Sequence, residues 1–123
     1  MQHTKKLGNE GENIISTWLK QKKFTIISKN YRTRWGEVDI IAKKDDIISF
    51  VEVKTRLTRY FPIASVVTKS KQKKLIRTAK TFIAKNNIID KTFRFDIAVV
   101  VRQRNSFEIQ YLPNAFTEQR HYS

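Results

Sequence analysis

Hydrophobic positions follow two kinds of spacing along this chain of 123 residues. Over residues 8–22, Ile14, Ile15, Trp18 and Leu19 recur as one face of a helix does, and Lys20, Lys22 and Lys23 gather at its C-terminal end, where cations suit the dipole. Over residues 70–86, Leu75, Ile76, Ala79, Phe82 and Ile83 repeat that spacing, with Ser70 as the expected N-cap. The remaining apolar segments read as strands: 24–30, then 36–43 and 47–55, both rich in Val, Ile and Phe, then 93–101 and 106–112. Lys44-Asp45-Asp46 is turn-like, and 57–68, which contains Pro62, reads as loop. The order α-β-β-β-α-β-β predicts an α/β fold, a mixed sheet of about five strands flanked by helices. The second helix then acts as a crossover that makes strands three and four parallel. No repeat or linker interrupts the chain, so one domain over 1–123 is expected. Residues 113–123 are set apart as a flexible tail or a segment that packs on a partner.

The hairpin 36–55 carries the densest chemistry. With a two-residue turn at Asp45-Asp46, paired positions sum to 91 and Asp39 falls opposite Glu52. Glu37, Asp39 and Ile41 then share a face with Phe50, Glu52 and Lys54, while Val38, Ile40 and Ala42 share the other with Ser49, Val51 and Val53. A loop of odd length would place Asp39 and Glu52 on opposite faces instead. Like charges opposed in a sheet repel, and a divalent cation compensates them directly. Glu52 and Lys54, two apart on a strand, point the same way.

Composition decides which cation. The chain has no Cys, and its two His stand at the ends, as His3 and His121. That excludes disulfides, thiolate zinc sites, iron–sulfur ligation and Cys nucleophiles, and leaves no ready Ser-His-Asp triad. Carboxylate ligands alone point to Mg²⁺ or Mn²⁺. With three Gly, no glycine-rich phosphate loop can be written, and no small-molecule cofactor is expected. The longest apolar run, Ile97 to Val101, is far too short for a membrane span, and the N-terminus does not read as a signal peptide. A soluble, cytoplasmic protein with no membrane partner is the expectation.

Charge indicates the partner. The formal net charge is +14, and no acid occurs between Glu52 and Asp90, a stretch that holds Lys54, Arg56, Lys71, Lys74 and Arg77 among other bases. Such a field attracts polyanions, of which nucleic acid is the commonest in a cytoplasm. A solvated basic face that only keeps the protein soluble is the plainer alternative. Glu12 lies on the helix face of Ile15 and Leu19 and so looks inward, although a first-turn acid also suits the dipole. Lys71 and Gln72 precede Leu75 and Ile76 by four, at the end of the second helix that favours phosphate. Asp96 reads as the partner of Arg94 in an internal ion pair rather than as a site residue.

Several of these residues also form a joint pattern: Gly8-x-x-Gly11-Glu12, Asn30-Tyr-Arg32, Gly36-Glu-Val-Asp39-Ile-Ile-Ala42, Phe50-Val-Glu52-Val-Lys54-Thr-Arg56, Lys71 and Arg94-Phe-Asp96. It resembles the YraN-like proteins, a bacterial family, from about residue 7 to 100. That family is similar to Holliday-junction resolvases of the restriction-endonuclease-like PD-(D/E)XK superfamily. The resemblance implies a restriction-endonuclease-like core, with Asp39 as the metal-binding acid, Glu52 as the second acid, Lys54 as the motif lysine and Glu12 as a helix-borne acid. Val38 stands where the superfamily name has proline, and Lys23 and Pro62 stand where family glycines are expected. Resolvase-like relatives work as symmetric dimers, which adds a homodimer to the expectations.

The first expectation is a metal-dependent DNA endonuclease acting on phosphodiester bonds, on branched or otherwise structured DNA. Asp39, Glu52 and Glu12 would serve the metal and Lys54 the attacking water. Arg56, Lys71, Gln72, Lys74 and Arg77 would hold the backbone. The alternative is a catalytically silent nucleic-acid-binding module with the same fold, since fold does not guarantee activity. A basic structural protein of a ribonucleoprotein ranks third.

Overall fold

The structure is a computed structural model that describes residues 2–58 and 66–118. In chain order the elements are α1 (Gln2–Gln21), β1 (Thr25–Thr33), β2 (Gly36–Lys44), β3 (Ile47–Arg56), α2 (Lys69–Lys85), β4 (Thr92–Arg102) and β5 (Phe107–Phe116). The strands form one sheet in sequence order, antiparallel throughout except for the parallel β3–β4 pair. This is the predicted α-β-β-β-α-β-β arrangement, with α2 as the crossover that a parallel pair requires.

One helix covers each face of the sheet. Ile15 and Leu19 of α1 pack against Ile40, Ala42, Val51, Ala98 and Val100. Leu75, Ala79 and Phe82 of α2 pack against Ile41, Phe50, Ile97, Val99 and Val101. Burial on both faces explains why β3 and β4 read as nearly continuous apolar runs. Gly11 lets α1 approach β3 closely, because a Cβ there would meet Thr55 Oγ1 at 2.9 Å. Among the described residues, no helix is long and apolar enough to cross a membrane.

Several boundaries differ from the sequence expectation for identifiable reasons. Helix α1 starts at Gln2 rather than 8. Thr68, not Ser70, caps α2: its backbone is extended and its hydroxyl accepts from Lys71 N at 3.2 Å, whereas Ser70 already lies in the first turn. The loop expected over 57–68 ends in Val66 and Val67, both buried against the α2 side of the sheet. Pro62 lies outside the described residues.

Strand β1 runs on to Thr33 across an irregularity near Ile26 and Ser28, with Asn30 at φ +56°. Strand β5 continues past Leu112 to Phe116, so residues 113–116 of the expected tail belong to the sheet. Pro113 is tolerated because β5 is an edge strand, with no outer neighbour among the described residues to receive an N–H. Phe116 stacks on Phe95 with ring centroids 5.1 Å apart.

Candidate functional site

The β2–β3 turn sets the geometry of the site. Its register runs from Lys44–Ile47 to Ile40–Val51, the predicted sum of 91, and Asp45 takes a left-handed φ of +53°. The ladder then changes at Asp39. Val53 N donates to the Asp39 side chain (Oδ2, 2.8 Å), so a carboxylate stands where a main-chain carbonyl would. Val38 packs on the α2 side of the sheet and Ile40 on the α1 side. Ile41, three residues after Val38, is again on the α2 side, so strict alternation breaks at this point. The expected grouping of Val38 with Ile40 and Ala42 is therefore corrected, because the strand is kinked at its acid.

The kink distributes the acids into two groups inside one pocket of about 840 Å³. In the first, Glu12 from α1 meets Glu37 and Asp39 from β2, with carboxylate oxygens within 4.8 Å of one another. In the second, Glu52 Oε1 lies 3.2 Å from Lys54 Nζ and 3.2 Å from Lys71 Nζ, with the Glu52 side chain only 5% exposed. The pocket therefore gathers Glu12, Asp39, Glu52, Lys54, Arg56 and Lys71, all singled out from the sequence. Glu52 differs from expectation in its neighbours, for two ammonium groups compensate it where a shared cation was expected. Gln72 and Arg77 line a separate groove along α2. Lys74 is exposed on α2 and lies beside Gly36.

Glu37 is the functional candidate that sequence reasoning left out. The register had placed it on the Asp39 face, but its neighbour in the hairpin was not acidic, so nothing marked it as a ligand. The motif Asn30-Tyr-Arg32 acquires a role beside it. Arg32 Nε donates to Glu37 Oε2 at 3.1 Å, and the Asn30 side chain lies against Glu12 and favours its charged form. Between them Tyr31 turns into the core, edge-on to Phe82 at 5.2 Å. Asn is among the few residues that tolerate the left-handed backbone found at position 30.

Electrostatics single out Asp39. Burial, followed by repulsion from Glu52, pushes its carboxyl up to about 7. Burial also raises Glu12, and the charges of Glu37 and Glu52 add to the rise. Lys54 is lowered by burial and by the adjacent Lys71, with Glu52 acting the other way. Negative charge is thus crowded into a half-buried space that no cationic side chain of the first group fully balances.

The donor set fits a hard divalent cation. Three carboxylates supply only oxygen, and opposed ligands at roughly 2.0–2.6 Å from an ion would lie about 4–5 Å apart, the scale of this cluster. Glu12, Glu37 and Asp39 are the residues that would hold such an ion, and Glu52 lines the same pocket.

Comparison with known sequences gives a consistent result. Residues 11–100 match the family model described as "Uncharacterised protein family UPF0102". A UPF0102 protein of Alkaliphilus metalliredigens (strain QYMF) is 44% identical over 114 residues, covering 92% of this chain and 99% of the relative. One from Geobacter metallireducens is 38% identical over 115 residues, covering 93% and 94%. One from Treponema pallidum (strain Nichols) is 42% identical over 121 residues, covering 94% and 96%. The match takes in both acid-bearing strands, all of α2 and α1 from Gly11 onward, and the chain belongs to the UPF0102 family, the YraN-like proteins.

Proposed function

We propose that this protein is a Mg²⁺- or Mn²⁺-dependent DNA endonuclease with a restriction-endonuclease-like, PD-(D/E)XK-type site. The observation that carries this reading is the single pocket that sets three converging carboxylates beside a buried Glu–Lys–Lys group, in a chain of net charge +14. A purely structural pocket would not crowd Asp39 and Glu12 against further acids in a chain that otherwise sheds them.

A bound divalent ion would supply a Lewis acid for the phosphoryl group and a more acidic water. The chain's own groups do the rest. Asp39, fixed by Val53 N, keeps its second oxygen free to face the pocket. Glu52 holds the Lys54 ammonium in place, from where it can orient the attacking water and donate to a phosphoryl oxygen as charge develops. Lys71, at the start of α2 and also held by Glu52, adds positive charge for the scissile phosphate. Arg56, at the pocket rim, extends that field along the backbone.

The test is cleavage of labelled four-way junction, flap, single-stranded and duplex DNA with Mg²⁺, Mn²⁺ or EDTA. Metal-dependent cutting that Asp39→Ala and Glu52→Ala each lower by at least 100-fold, with DNA affinity equal or higher, is the expected result. One observation favours a second reading, a silent binding module: Lys54 and Lys71 both pair with Glu52, so that acid already has cationic partners of its own. Salt-sensitive binding with no cutting under any metal would select it.

A further inference from the structure

The strongest basic feature outside the acid pocket is a groove on the outer side of α2. It has a volume of about 620 Å³, and its cationic lining comes from Lys69, Lys73, Arg77 and Lys80. These residues follow one another by four, four and three, so they form a stripe along one side of the helix, about 16 Å long at 1.5 Å per residue. All four are exposed. Lys71, two residues from Lys69, instead faces the acid pocket, so α2 separates two differently charged cavities.

Two further observations point to what the groove takes. Arg77 lies over an aromatic ring: its guanidinium carbon is 3.9 Å from the Trp35 ring centroid, and Arg34 approaches the same ring at 4.6 Å. An Arg restrained by a cation–π contact loses less entropy on binding a phosphate. At the other wall, Glu118 follows β5 into the groove and pairs with Lys80 at 2.6 Å. This is the one acid among the described lining residues, and its carboxylate sits where an anionic oxygen of a ligand would.

We infer that the α2 groove is a second binding site for one strand of nucleic acid, separate from the acid pocket, in which Glu118 takes the place of a backbone phosphate and is displaced on binding. Lys69, Lys73 and Arg77 receive successive phosphates, and Lys80 exchanges Glu118 for the next. Such contacts carry no sequence information; they position the strand relative to the acid pocket on the other side of the helix. The inference rests on the reading that the partner is nucleic acid, but not on catalysis.

The experiment is fluorescence anisotropy of the full chain with a labelled 20-nucleotide oligo(dT), in EDTA so that nothing is cut, over a series of salt concentrations. Lys73→Ala/Arg77→Ala is expected to bind about 10-fold or more weakly, and its salt slope should fall by about 1.4, two contacts at roughly 0.7 each on a single strand. Glu118→Gln is expected to bind about 3-fold more tightly, because the competing carboxylate is removed. Both variants alter exposed side chains, and an unchanged melting temperature confirms folding. Wild-type affinity and slope in the double variant would overturn the site, and no gain in Glu118→Gln would overturn the role given to Glu118.

Asp39→Asn separates the two readings. If that variant still binds oligo(dT), and the groove variant does not, the groove stands whether or not cleavage is ever seen. If metal-dependent cleavage is found and the groove variant binds and cuts as wild type does, the groove fails and the endonuclease reading stands.

Discussion

Two acids on neighbouring parts of the sheet, Asp96 and Asp39, meet burial in opposite ways. Asp96 is fully buried on β4 and completely satisfied. Arg94 grips it through two nitrogens at 2.9 and 3.0 Å, Tyr111 donates at 2.5 Å, and Asn114 N donates at 2.9 Å. Those bonds sit where the β4–β5 register shifts, between Phe95 and Ile97, and they fasten the irregular end of β5 to the sheet. Burial and the nearby Asp96 in turn raise the Tyr111 hydroxyl, which stays protonated as a donor. Asp39 has Val53 N as its hydrogen-bond donor, and other acids surround it. A buried acid with a full set of donors holds structure together; a buried acid among like charges stores unfavourable energy that a ligand can relieve.

The largest effect expected from this contrast is at Asp96. Asp96→Ala leaves the Arg94 guanidinium and Tyr111 hydroxyl without their acceptor, and should cost about 3–5 kcal/mol in urea unfolding. A loss under 1 kcal/mol would break the comparison. At Asp39 the sign reverses. Its carboxyl is raised from 3.8 to about 7, so the folded state holds a proton that the unfolded state releases between those values. Stability from this group is present at pH 4 and lost as pH rises toward 7. Asp39→Asn should therefore stabilise the metal-free protein by roughly 2–4 kcal/mol at pH 8 and by little at pH 4, measured by thermal melts at both. An equal effect at both pH values would show that the acid cluster stores nothing.

Divalent cation supplies the next test. Mn²⁺ at about 100 times its dissociation constant should stabilise wild type by about 2.7 kcal/mol and leave the melting temperature of Asp39→Asn nearly unchanged. Equal stabilisation of both proteins would place the ion elsewhere. The smallest effect serves as a control far from any acid. Lys23 ends α1 at φ +74°, with Phe24 N bonded to Leu19 O and Lys23 N to Lys20 O, each at 3.0 Å, a helix stop that favours glycine. Lys23→Gly should stabilise by about 0.5–1 kcal/mol at pH 4 and pH 8 alike. A pH-dependent gain there would mean that the Asp39 profile does not report on Asp39.

Much of this arrangement was legible in the sequence, and the exceptions have physical causes. The β2–β3 register followed from a two-residue turn and alternating apolar residues, both local. The Arg94–Asp96 pair followed from residues two apart on a strand. The left-handed backbone at Lys23 agrees with the glycine that the family resemblance leads one to expect there. The kink at Asp39 was hidden because Val38 and Ile40 are both apolar, and either face of the sheet accepts them. Glu37 escaped because a three-carboxylate cluster depends on where α1 docks, and that depends on the small volume of Gly11. Thr68 and Ser70 are both good caps by type, Ser slightly the better, so only the backbone at position 68 could choose Thr68.

The β2–β3 hairpin that carries Asp39 has a consequence in time. Asp39 and Val53 belong to one hairpin and can meet as soon as that hairpin closes, a local event on the microsecond scale. Lys71 reaches Glu52 only after α2 has docked on the sheet, and Glu12 reaches Asp39 only after α1 has, and non-local closures of that kind are slower. A refolding chain should therefore bring Asp39, Glu52 and Lys54 together first, and add Glu12 from α1 and Lys71 from α2 later. Mn²⁺ should then bind late in refolding, once Glu12 reaches Asp39, a sequence that stopped-flow mixing with metal in either syringe would resolve.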